Sequence, residues 1–303
     1  MRTTPVTEET AVTDGQKKEL RRHIEEAIEK SGLDKDGIQR VLARGGEFQS
    51  ANVELLCKLG RPEENPFKDE KVSQSYYYYP QGWAVPSIVE LKERTAKLFE
   101  GIDLSHVDEL AGSITVPANA DGIALIPKIA YLGKLWGIED PYGSGYCQVV
   151  VKVVELLGNS RAFYNYREGE LGENYIRLHE QVKHLLKQKE DETPGDVLVL
   201  PFNFGNLYAG YSARNARWES LHSAQLPLGS AQVGCLLLVM PERLVAYENL
   251  FIDCPGDEYN WGADGGWSDG PSFDFYDARL GFDAGSSDDA GGYDGSAVAF
   301  RGV

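Results

Sequence analysis

Apolar positions recur at helical spacing through the first sixty residues, then give way to a mixture of helical and alternating patterns. After Asp14, a residue suited to capping, Leu20, Ile24, Ala27 and Ile28 fall on one face and Gly32 supplies a stop. Residues 35–44 place Ile38, Val41 and Leu42 together, and residues 48–59 read as a third helix closed by Gly60 and Pro62. The pattern predicts a helical module over residues 14–60. The polar stretch 1–13 before it reads as a loose tail, and residues 61–71, with two prolines and four acids, read as a linker.

From residue 72 to 303 the periodicity changes repeatedly. Helices are predicted over residues 87–100, 128–136, 146–157, 173–189 and 212–224, with a short turn of helix at Ser105 to Asp108; within 146–157 the run 149–154 suits a strand equally, and length favours the helix. Short β-branched or apolar runs predict strands at 113–117, 122–126, 162–166, 196–201, 251–253 and 297–300. Residues 272–277 and 280–284 read as a hairpin turning at Ala278-Arg279, with Phe273, Phe275 and Phe282 available to pack. Residues 233–240 are apolar on all sides and belong inside the core whatever their backbone. Helices and strands mix without a regular βαβ beat, so the expected class is α+β: a small helical N-terminal module, then a larger mixed domain ending in a Gly/Asp-rich β-hairpin part.

At 303 residues the chain is long enough to bury a core without metal or disulfide staples. Its four cysteines, Cys57, Cys147, Cys235 and Cys254, are widely separated, which fits free thiols in a reducing compartment better than a disulfide framework. A net charge of −17 argues against nucleic acid and anionic membrane surfaces as partners, and no apolar run is long enough to span a bilayer. A cytoplasmic location, with a protein partner or a homo-oligomer, is the expectation. The charge is unevenly spread: residues 253–303 hold 11 acids against 2 arginines, so −9 of the −17 lies there.

The candidate chemistry clusters around residues 196–259. Asp253, Asp257 and Glu258 follow a buried strand, where loops often present working groups. Paired carboxylates can divide general acid and base roles, or hold a hard divalent cation, with Asp264, Asp269, Asp274 and Asp277 as supplements; Asp/Gly-rich loops are also ordinary solvated turns. Arg214 and Arg217 share a helical face near the Gly-flanked loop that carries Asn206, a setting for an anion, although internal pairing with the acidic tail accounts for them as well. His222 follows that face and is the candidate for acid/base work, while His179 and His184, five apart, cannot act as a zinc pair. Cys254 has acidic neighbours that disfavour its thiolate. Trp261 and Trp267 could stack a sugar ring or pack on the hairpin, and the four tyrosines 76–79 read as a half-buried edge strand or an aromatic platform.

The phrases Phe163-Tyr-Asn-Tyr-Arg-Glu-Gly-Glu-Leu-Gly172, Leu200-Pro-Phe-Asn-Phe-Gly205, Ser212-Ala-Arg-Asn-Ala-Arg217, Pro241-Glu-Arg-Leu244 and Ile252-Asp-Cys-Pro-Gly-Asp-Glu-Tyr259 resemble those of a group of bacterial proteins to which no activity is assigned. The resemblance spans roughly residues 76–303, implies one continuous larger domain there, and transfers no role to any residue. No nucleophile motif, phosphate loop or metal spacing stands out, so the primary expectation is a binding or interaction protein without a resident cofactor. The alternative is a hydrolase or transferase using the clustered carboxylates, with or without a divalent metal.

Overall fold

In a computed structural model, residues 12–59, 64–263 and 265–301 are described. The expected tail lies almost wholly outside them, as do residues 61–63 of the expected linker, the side chain of Cys57, and Asp264. Among the described residues the chain forms ten α-helices and eleven strands in two sheets, an α+β fold. It divides into two compact units, residues 1–64 and 65–303.

The first unit holds α1 (Asp14–Lys30), α2 (Lys35–Ala43) and α3 (Gly45–Leu59). Thr13 caps α1 through a capping box, its hydroxyl accepting the Gln16 N–H while the Gln16 side chain accepts the Thr13 N–H. Asp34 caps α2 by accepting the Gly37 N–H at 2.7 Å.

The second unit is built on two sheets. The smaller is antiparallel in the order β1 (Gly122–Pro127), β4 (Val197–Asn203), β11 (Val298–Phe300), β5 (Gln225–Pro227). The larger centres on the hairpin β8 (Asp269–Tyr276) and β9 (Arg279–Ser286), paired along its whole length. One edge of β8 takes β6 (Phe251–Asp253) and, nearer its start, β7 (Asp257–Tyr259). β10 (Asp294–Ser296) lies parallel to β6, β3 (Ile176–Leu178) pairs with β7, and β2 (Phe163–Asn165) lies parallel to β9.

Five further helices, α4 (Ile88–Leu98), α5 (Val107–Ser113), α6 (Ile129–Trp136), α7 (Tyr146–Ser160) and α8 (Glu180–Glu192), precede α9 (Ala213–Leu221) and α10 (Ser230–Val239). α10 carries the run that is apolar on all sides, and all ten of its residues are buried. Gly234 brings it against Val153 of α7 and Phe273 of β8, where a Cβ would lie 2.4 Å from the Val153 methyl. Cys147, Cys235 and Cys254 are buried free thiols.

Several elements depart from the sequence expectation. The segment 173–189 is not one helix: its first part is β3, drawn out of helical geometry by pairing with β7, and α8 begins only at Glu180. α5 runs to Ser113 and no strand follows over 113–117. The hairpin turns at Asp277-Ala278, one position earlier than expected, because Tyr276 pairs with Arg279; both turn residues take positive φ, at 48° and 56°. The tyrosine run forms no strand, only a single bridge from Tyr78 to Asn249. No helix among the described residues is long and apolar enough to cross a membrane.

Candidate functional site

The hairpin alternates strictly. Phe273, Leu280, Phe282 and Ala284 point into the core with Ile252, whereas Ser272, Asp274, Tyr276 and Asp283 stand with Phe251 and Asp253 on the other face. Register then decides which of these polar groups meet. Asp253 lies beside Ser272 on β8 and Ser296 on β10, Ser272 faces Asp283, and Asp274 faces Gly281. Gly281 leaves room there for the Asp274 carboxylate, which lies across it: a Cβ would meet Asp274 Oδ1 at 1.9 Å and displace that side chain.

These residues line a cleft of about 180 Å³ together with Asp289, Tyr293 and Asp294. Asp283 is neutralised by the guanidinium of Arg167 at 2.6 Å. Asp253, Asp274 and Asp294 have no such partner: among the described residues no lysine or arginine pairs with them, and none lines the cleft. Asp274 is 8% exposed, and its buried Oδ1 accepts no hydrogen bond within the protein. Burial raises all three carboxyls, Asp253 to about 7, Asp274 to about 6 with added repulsion from Asp283, and Asp294 to about 9 with added repulsion from Asp253.

The other end of the cleft is aromatic. Phe251 packs edge to face with Tyr276 at 5.3 Å and with Tyr293 at 5.8 Å between ring centres. Tyr77 and Tyr247 extend the cluster from outside, Tyr77 standing 5.5 Å from Phe251. The tyrosine run therefore backs this wall through Tyr77, while Tyr79 is drawn inward, its ring 3.9 Å from the fully buried guanidinium of Arg243 and its hydroxyl 2.8 Å from Asp121.

A second cleft, about 390 Å³, gathers Arg214, Arg217, His222, Glu258 and Trp267 with His179 and Trp218. Five of the residues singled out in the sequence thus meet in one place, because Ser212 caps α9 by accepting the Asn215 N–H and α9 leans on the turn before β7. Its cations are already engaged. Arg214 Nε donates to Glu70 at 2.8 Å and its head group stands 3.3 Å from Asp288. Arg217 is buried and donates to the carbonyls of Pro255 and Asp257 at 2.6 and 2.5 Å, with Glu258 3.8 Å away. His222 is exposed, stacked on Trp218 at 3.8 Å with Nδ1 2.7 Å from the Trp218 carbonyl. Trp267 carries the Arg177 guanidinium at 3.9 Å, and Trp261, elsewhere on the surface, carries that of Arg167 at 3.6 Å. Asn206 sits in a turn of 3-10 helix, where its N–H donates to the Tyr79 hydroxyl.

Asp253, Asp257 and Glu258 occupy three different environments. Asp253 lines the acidic cleft and Glu258 the arginine-bearing one. Asp257 is fully buried, accepts the Tyr146 hydroxyl at 2.8 Å and the Ser230 N–H at 2.7 Å, and so caps α10 from a neighbouring strand. Asp274 was reachable from the sequence only as a supplement, and Asp294 not at all. The signal that finds them is the strand alternation read together with the register, which a single strand does not reveal. Among the described residues no three carboxyl, imidazole or thiol groups are placed to hold a metal ion. No protein-family model, curated protein or solved structure matches the chain.

Proposed function

We propose that the protein is a binding protein whose acidic cleft receives an organic cation, an ammonium or guanidinium group borne by a small molecule or by a partner's side chain. The observation that carries this reading is the buried, unpartnered Oδ1 of Asp274 in one cleft with two further carboxyls, Asp253 and Asp294, with which no lysine or arginine among the described residues pairs. Asp294 is pushed up partly by Asp253 and Asp274, and burial opposes the charge on all three, so positive charge arriving in the cleft would favour their ionised forms. The aromatic wall of Phe251, Tyr276 and Tyr293 suits the organic kind, since aromatic rings attract an organic cation as carboxylates do. The volume fits a head group or a short diamine.

Calorimetric titration with putrescine and agmatine at pH 8, with magnesium and calcium as comparison, tests the reading. The organic cations should bind, and Asp274→Asn should weaken them about tenfold, the scale of one charge-assisted hydrogen bond. Binding of the metals alone, or binding indifferent to Asp274, would remove it.

A hydrolase or transferase reading draws on the same cleft through a different observation. Asp253 and Asp274 are both raised toward neutrality by burial, the direction a carboxyl working as a general acid requires. Hydrolysis of nitrophenyl esters or glycosides that is lost in both Asp253→Asn and Asp274→Asn would favour it over simple binding.

A further inference from the structure

Among the described residues of the N-terminal unit, apolar side chains stand uncovered. α1 is a well-capped helix of 17 residues, yet none of its residues is buried. Leu20, Ile24 and Ile28, spaced i, i+4 and i+8 along one stripe, remain 43%, 37% and 47% exposed. α2 and α3 add Leu42, Phe48 and Leu55 in the same condition, and Gly37 is the one buried residue among the described side chains of α1 to α3. Helices of this length are marginal in water unless an apolar face is packed, so the unit requires a cover.

The charge pattern of α1 says what that cover is. Residues 14–22 hold Lys17, Lys18, Arg21 and Arg22 against Asp14 and Glu19, a net of +2; residues 23–30 hold Glu25, Glu26 and Glu29 against Lys30, a net of −2. A second α1 laid alongside in parallel would set like blocks against each other. Laid antiparallel, it sets the basic half of each copy against the acidic half of the other. The apolar stripe has the same symmetry, because Ile24 lies midway between Leu20 and Ile28: an antiparallel partner centred there brings Leu20 to Ile28 of the other copy and Ile24 to itself. Self-complementarity of that kind is what a two-fold interface demands.

We propose that the N-terminal unit is a self-association module in which α1 pairs antiparallel with α1 of a second copy of this chain, centred on Ile24. One helix pair buries little area on its own, so the dimer expected is one that dissociates on dilution.

Sedimentation velocity on the full chain tests the pairing. A species of twice the chain mass should dominate at high micromolar concentration and dissociate on dilution. Ile24→Asp should be monomeric throughout, with the melting transition of the second unit unchanged. Orientation is read by cross-linking in a Cys57→Ser background: Leu20→Cys mixed with Ile28→Cys should give the mixed disulfide dimer in preference to either homodimer. A wild-type chain that stays monomeric overturns the proposal, whether its helices then prove to dock on the rest of the chain, on lipid vesicles or on another protein. An Ile24→Asp chain that still dimerises overturns it too, and preferred 20–20 and 28–28 cross-links overturn the antiparallel arrangement.

Discussion

Asp253 and Asp257 stand four positions apart and their side chains do opposite work. Asp257 is a structural acceptor, holding the Tyr146 hydroxyl and the first free N–H of α10 in the core. Replacing it with Ala leaves two buried donors without acceptors and should cost about 2–4 kcal/mol, read from denaturant unfolding. Asp253 belongs instead to the group whose protons are hard to remove. For Asp253, Asp274 and Asp294 the folded value lies above the ordinary 3.8, so the folded chain holds protons that the unfolded chain releases. Their contribution to stability is therefore complete at acid pH below 3.8 and is lost as pH rises through about 6, 7 and 9 in turn. Thermal unfolding followed from pH 5 to pH 9 should show this decline, and Asp294→Asn should flatten its alkaline part; parallel curves for the two proteins would contradict the assignment.

Elements were legible wherever one physical signal dominated. α1, α4 and α9 were readable from spacing and caps, and the immersion of α10 from its lack of a polar face, because burial follows from side chains alone; α7, whose valine run suits a strand equally, was separated from one only by its length. Pairing partners are not written locally, which is why β3 read as the start of a helix and β7 read as a loop. The same holds for the turn: Asp277-Ala278 and Ala278-Arg279 differ only in register. Because Ala278 sits at φ 56°, a region that penalises a Cβ, Ala278→Gly should stabilise the hairpin by about 0.5–1 kcal/mol. Gly205 and Gly295 make the converse case. The chain segments that carry them touch so closely that a Cβ on Gly295 would lie 2.5 Å from the Gly205 carbonyl oxygen, so Gly295→Ala should destabilise by about 1–3 kcal/mol and disturb the neighbouring Asp294.

At the scale of the whole molecule, the acidic C-terminal composition marks the segment that contributes the cleft's carboxyls but not their arrangement. Eleven acids in 51 residues are compatible with solvated loops. What concentrates some of them is a sheet whose one face must be apolar for the core, so that every intervening position is pushed to the other face with its neighbours on adjacent strands. The arginine-bearing cleft was read more fully, since α9, its cap and the acidic motif after β6 were all visible; that its arginines are consumed by Glu70, Asp288 and backbone carbonyls required coordinates.

The central claim is that Asp253, Asp274 and Asp294 are held short of positive charge and that an organic cation supplies it. Carbon-detected NMR titration of the aspartate carboxyls, with and without saturating agmatine, addresses both halves at once. Three carboxyls titrating well above the ordinary range, and moving down when agmatine is present, is the result expected. Ordinary midpoints for all three, or midpoints that agmatine leaves unmoved, would contradict it.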